Sequence, residues 1–170
     1  MFRIARFFAL FLSLSGFAAR AEVQTLPAPE GPVLLTIFGN IAVTNVDETA
    51  QFDLEMLQAL GETDIVTDTI WTSGSHRFTG VLLETLLAAV GAEGAEVSAT
   101  AINDYTVEIP RSDATEDGPI IAYAMDGKPM SRRDKGPLWV IYPYASDPKY
   151  RTEVIYARSI WQLDRLTLDE

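Results

Sequence analysis

The sequence predicts an α+β domain, and three observations carry that prediction. Short β-rich runs are divided by turn signals, only two stretches show helical apolar spacing, and strands do not alternate regularly with helices as a parallel βαβ series would require. Residues 1–21 read as an export signal: Arg3 and Arg6 precede the apolar run Phe7 to Leu14, and Ala19-Arg20-Ala21 is an A-x-A cleavage pattern. That run is too short to span a bilayer, which takes about 20 residues. Residues 22–32, rich in proline, are expected to form an extended N-terminal arm. Residues 33–170 are of a length for one domain that buries a core without staples.

Within that domain Val33 to Phe38 and Ile41 to Thr44 predict two strands joined by a tight Gly39-Asn40 turn. Asp53 is placed to cap a helix whose apolar residues Leu54, Leu57 and Leu60 recur at helical spacing, with Gly61 just past its end. Asp64 to Trp71 predicts a third strand. The polar stretch Thr72 to Arg77 is then expected to lead into a second helix bearing Leu82, Leu83, Leu86, Leu87 and Val90, stopped by Gly91. Strands follow at Val97 to Ile102, Tyr105 to Ile109, Ile120 to Met125 and Leu138 to Tyr142, with Asp126-Gly127 as a strong turn marker. Glu153 to Leu168 is expected to add two short strands.

Charge and composition narrow the partners. The export signal holds three arginines and no acids, so its removal leaves 10 basic against 24 acidic residues, about −14. Such a surface repels nucleic acid and anionic lipid, so a small molecule or a protein is the expected partner. The chain has no cysteine and one histidine, His76. That excludes disulfides and leaves no common ligand set for zinc, copper or haem. Neither a Walker loop, a G-x-G-x-x-G fingerprint nor a G-x-S-x-G elbow is present.

Three segments carry candidate chemistry. Trp71, Thr72, Ser73 and Gly74, followed by Arg77, form a polar, glycine-containing loop that can offer backbone N–H groups to a ligand, with an indole to stack on a flat ring. On the loop alone, an ordinary connection with Trp71 in the core stays open. Asn103-Asp104-Tyr105 breaks a β run; Asp104 could accept paired hydrogen bonds from an amino-pyrimidine edge, or the segment is simply a turn. Lys128, Arg132, Arg133 and Lys135 place four of the ten remaining cations within eight positions, just before Trp139. There Arg133 and Lys135 could meet a carbonyl or phosphate oxygen, unless the segment is a solvated hairpin tip. A lone histidine such as His76 on a polar loop is expected to be solvated.

Taken together, these segments resemble the molybdopterin-binding domain of sulfite-oxidase-type oxidoreductases. The resemblance runs from about Val33 to Pro143. Its motifs are Thr69-Ile-Trp71-Thr-Ser-Gly74, Phe78-Thr-Gly80, Ala101-Ile-Asn103-Asp104-Tyr105, Ala124-Met-Asp126-Gly127 and Arg133-Asp-Lys135-Gly136-Pro137-Leu-Trp139. It implies mixed β-sheets with a few short helices. In that family the metal is held by a pyranopterin and one cysteine thiolate, and this chain has no cysteine to give, so no metal is expected. The chain is also similar to small secreted pterin-binding proteins of this fold. That likeness implies a non-catalytic periplasmic protein binding a tetrahydropterin-like ligand. It would report occupancy to a membrane protein that makes or degrades cyclic diguanylate. The alternative is a molybdopterin-dependent oxidoreductase, or an accessory subunit of one. On this reading the ligand contacts are Trp71 for stacking, Asp104 for the amino edge and Arg133 and Lys135 for oxygens. Thr72, Ser73 and Gly74 contribute loop contacts, Asn103 and Tyr105 shape the wall, and Arg77 and Trp139 are further ligand-binding candidates.

Overall fold

The computed structural model describes residues 25–169. The expected export signal, and residues 22–24 of the arm, lie outside the described residues. Among these described residues, two five-stranded sheets and three short α-helices enclose one apolar core. The first sheet has the order β2-β1-β10-β5-β6, from β1 (Leu35–Gly39), β2 (Ala50–Phe52), β5 (Glu96–Ala101), β6 (Thr106–Pro110) and β10 (Leu163–Leu168). Its strands are antiparallel except for β1 against β10. In β1 the period of two is plain: Leu35 and Ile37 are fully buried while Thr36 and Phe38 are half-buried.

The second sheet runs β3 (Thr63–Asp68), β4 (Ser75–Leu82), β7 (Ile120–Met125), β8 (Lys128–Pro129), with β9 (Trp139–Ile141) also paired to β7. Gly80 sits at a bulge where β4 meets β7, and a Cβ there would strike the Ile121 carbonyl and the Ala122 backbone. Backbone cannot yield as a flexible side chain can. Gly80→Ala is therefore expected to lower unfolding stability by about 3 kcal/mol, the upper end of ordinary overpacking costs, measured by urea unfolding. A loss below about 1 kcal/mol would show that the strands part easily here.

Helix α1 (Leu54–Ala59) starts as predicted: the Asp53 carboxylate accepts the Met56 N–H at 2.9 Å. The same carboxylate accepts the N–H groups of Glu30 and Gly31 at 2.9 and 2.8 Å, pinning the arm to the helix. These backbone donors hold Asp53 below the usual carboxylate range. Helix α2 (Leu83–Ala89) buries Leu83, Leu86 and Leu87, and β5, β6 and β7 lie where predicted. Asp126 and Gly127 turn between β7 and β8 with φ of 51° and 73°, both left-handed as a tight hairpin turn demands.

Three sequence expectations are corrected. Ile41 to Thr44 is not a strand; the partner of β1 is Ala50–Phe52. Asn40 donates its N–H to Leu168 at 2.8 Å, so the chain passes the end of β10 instead of reversing. Ala42 and Val43 then bond to the end of α2. Asn45 closes the resulting loop, with Oδ1 on the Gln51 N–H and Nδ2 on the Gln51 and Pro27 carbonyls. Second, Thr72 to Arg77 does not lead into a helix. Ser75 to Gly80 pair residue for residue with β3 as most of β4, Val81 and Leu82 pair with β7, and α2 begins only at Leu83. The leucine-rich pattern marked that helix well, but the preceding residues pair more favourably across two strands. Third, Glu153 to Leu168 forms one helix and one strand: α3 (Glu153–Arg158), then β10. The Thr152 hydroxyl caps α3 on the Ile155 N–H at 3.3 Å, and Ile155 faces the core, which outweighs the β propensity of Val154, Ile155 and Tyr156.

Candidate functional site

A serine/threonine-type turn holds Trp71 in place. The Thr69 hydroxyl accepts the N–H groups of Trp71 and Thr72 at 3.1 and 3.0 Å and bonds the Thr72 hydroxyl at 2.8 Å. The half-buried indole then meets four rings edge-on: Trp139 at 5.7 Å, Tyr156 at 5.8 Å, Trp161 at 5.7 Å and Tyr144 at 6.5 Å between centroids. Edge-to-face contacts on several sides fix the plane of the ring. Trp71 thereby becomes a rigid partition between two clefts.

The first cleft, about 500 Å³, is bounded by Trp71, Tyr105, Tyr156 and Trp161, with Asn103 and Gln162 as its carboxamides. Among the described residues no charged side chain lines it. Helix α3 brings Tyr156 there, and a polar network anchors that helix. Arg158 pairs with Asp113 at 2.9 Å, and the Tyr142 hydroxyl donates to the same carboxylate at 2.7 Å. Burial, then the hydrogen bond to Asp113, pushes the Tyr142 phenol far up. The buried Tyr144 hydroxyl donates to Ser159 at 2.6 Å, and burial raises its pKa to about 12. Flat aromatic walls with neutral hydrogen-bonding groups suit an uncharged heterocycle.

The second cleft, about 650 Å³, has Trp71, Thr72 and Trp139 on one side and Lys128, Arg133 and Lys135 among its lining groups, with Asp126 and Asp134 as counter-charges. The Lys135 ammonium lies 4.1 Å from the Trp161 ring centroid and 5.2 Å from that of Trp139. Loss of water around it lowers its pKa, and the ring faces supply the compensating attraction. The Lys135 carbonyl also accepts the Gln162 N–H at 3.1 Å, tying this loop to the wall of the first cleft.

The residues proposed from sequence are thus partly gathered. Trp71, Asn103 and Tyr105 border the first cleft; Trp71, Thr72, Arg133, Lys135 and Trp139 border the second. Trp139 is fully buried and forms floor, with no free face for a ligand. Ser73, Gly74, Arg77 and Asp104 line neither cleft. Asp104 has φ 65° at the tip of the β5–β6 turn, and its exposed carboxylate pairs with Arg165 at 2.6 Å. Arg77 reaches Asp64 across the β3–β4 pair, also at 2.6 Å. Sequence reasoning missed Tyr156, Trp161 and Gln162. Their signal was the third tryptophan, in Ser159-Ile-Trp161-Gln162, inside a segment expected to be plain strand.

It also misplaced His76. This residue lies in β4, with Nδ1 2.7 Å from the Asp126 carboxylate and Nε2 3.0 Å from the Ser73 carbonyl. The Asp126 bond raises the His76 pKa and holds Asp126 low, helped by the Arg77 N–H on its other oxygen at 3.0 Å.

Among the described residues no helix is long and apolar enough to cross a membrane. No curated protein matches the chain. Among solved structures it is similar to the sulfane dehydrogenase SoxCD from Paracoccus pantotrophus, with a TM-score of 0.58 and 17% identity. The likeness covers 79% of this chain and 37% of that one, so the chain spans well under half the length of its neighbour. At that identity the likeness establishes the fold: mixed sheets with a few short helices, of the sulfite-oxidase-like molybdopterin-binding kind. Residues 40–146 match the oxidoreductase molybdopterin-binding domain, and the chain belongs to that family.

Proposed function

We propose that this chain is a periplasmic pterin-binding protein that performs no molybdenum chemistry and relays pterin occupancy to a membrane-bound cyclic-diguanylate signalling partner. The supporting observation is a mismatch between the two halves of the family's cofactor and the residues offered to them. The organic half is well served: an uncharged cleft walled by Trp71, Tyr105, Tyr156 and Trp161 abuts one carrying Lys128, Arg133 and Lys135. The metal half lacks its protein ligand, because the sequence contains no cysteine. Among the described residues no cluster of three or more histidine, cysteine, aspartate or glutamate side chains takes its place.

In this reading the pterin bicycle lies in the first cleft against the Trp71 face. The carboxamides of Asn103 and Gln162 address its amide-like edge, and Arg133 and Lys135 meet the oxygens of its substituent. Exclusion of water by the aromatic walls strengthens each of these hydrogen bonds. Export rests on the reading of residues 1–21, and the signalling partner on the likeness to small secreted pterin-binding proteins.

The family match itself favours a second reading, a molybdopterin-dependent oxidoreductase or an accessory subunit of one. Protein purified without added cofactor separates the two. Acid extraction is expected to release about one pterin per chain, and elemental analysis is expected to find no stoichiometric molybdenum. An equimolar amount of molybdenum would establish the second reading. No extractable pterin, with no thermal shift on adding a tetrahydropterin, would remove the first.

A further inference from the structure

His76 touches two acceptors at once. One is the Asp126 carboxylate in the β7–β8 turn, the other the Ser73 carbonyl in the turn that carries Trp71 and Thr72. Neither acceptor has a proton to give, and a neutral imidazole carries a single N–H. Both contacts exist together only when both ring nitrogens are protonated. Both turns so joined line the second cleft, one through Trp71 and Thr72 and the other through Asp126.

We propose that His76 is a proton-dependent clasp between these turns, and that loss of its second proton frees the Ser73 end of the first turn, beyond the Thr69 anchor that holds Trp71. The asymmetry follows from the acceptors. A carboxylate holds a single N–H more strongly than a carbonyl does. The β7–β8 turn is also fixed independently, since Asp126 accepts the Arg77 N–H at 3.0 Å and donates its own to the Arg77 carbonyl at 2.7 Å. The neutral ring therefore keeps Asp126 and gives up Ser73.

Among the described residues Asp126 is the one carboxylate within ion-pair distance of His76. The neighbouring charges are engaged elsewhere: Arg77 with Asp64, and Asp68 of the adjacent β3 with Arg151. The β3 residue opposite His76 is Thr67, and the ring's aromatic neighbour is Phe78 at 6.3 Å. The histidine pKa lies above its ordinary 6.5. The clasp is thus complete below that value and opens as pH rises through the higher, folded-state value. His76 positions the site and need not touch the ligand. Its link to affinity rests on the pterin reading above.

The test uses tag-free mature protein, in which His76 is the sole histidine, followed by ring NMR from about pH 5.5 to about 8.5. The His76 ring is expected to titrate above its ordinary value, and the backbone amide signals of Trp71 to Gly74 to move in step with it. The Kd for tetrahydrobiopterin, measured by calorimetry over the same range, is expected to weaken on the order of tenfold. His76→Gln is expected to bind with a pH-independent Kd near the high-pH value, and Asp126→Asn to bring the ring titration down. Turn amides that ignore the ring titration would overturn the clasp. So would a wild-type Kd that stays flat, or one whose pH dependence persists in His76→Gln. Failure to bind tetrahydrobiopterin at any pH, with the turn amides still tracking the ring, would remove the pterin reading and leave the clasp standing.

Discussion

Replacing Trp139 with alanine is expected to cost about 3–5 kcal/mol of unfolding free energy, a large part of the total for a domain of this kind. The side chain is fully buried in β9, opposite Ala122 of β7. Its ring meets Phe78 at 5.4 Å, Trp71 at 5.7 Å and Trp161 at 6.5 Å, so deletion opens a cavity among rings that cannot close over it. The indole N–H also donates to the Ser159 carbonyl at 3.1 Å, and the truncated protein would leave that buried acceptor unpaired. Equilibrium urea unfolding measures the loss. A change below about 1 kcal/mol would mean that the surrounding rings collapse into the space, contrary to the packing described here. Because Trp139 is floor to the second cleft, the same variant should also disorder Lys135, whose ammonium rests over the two tryptophan rings.

Trp71→Ala is expected to weaken tetrahydropterin binding between about tenfold and a hundredfold, the range that loss of one stacked ring produces elsewhere. Trp71 is half-buried, not sealed, and it is held by a threonine-anchored turn and four edge-on rings. A ring fixed in this way loses little freedom when a ligand stacks on it, so most of the stacking energy appears as affinity. Calorimetry is the right measurement, because Trp139 and Trp161 would confuse a fluorescence signal. Trp71→Phe should restore part of the loss, which separates stacking from simple damage to the turn. An unaltered Kd in the alanine variant would take Trp71 out of the site.

How far each result was foreseeable depends on the range of the interactions involved. Helix α1 with its Asp53 cap, the Asp126-Gly127 turn and strands β5, β6 and β7 were legible, because cap, turn and alternation are settled by residues a few positions apart. The cysteine-free composition also decided, without any coordinates, that no protein thiolate can meet a metal here. The candidate site was legible only in part. The 71–74 and 133–139 segments stood out by composition, but Tyr156, Trp161 and Gln162 lie in a stretch whose local propensity pointed to strand. The pairing of Asp104 depends on Arg165, 61 positions away, and the role of His76 on Asp126, 50 positions away. Most of all, the parallel pairing of β1 with β10 joins distant segments of the chain, and α3 brings Tyr156 up to Trp71. Short-range rules state what each segment prefers. Which distant segments meet is decided by burial of the shared core, and that is where the two clefts were made.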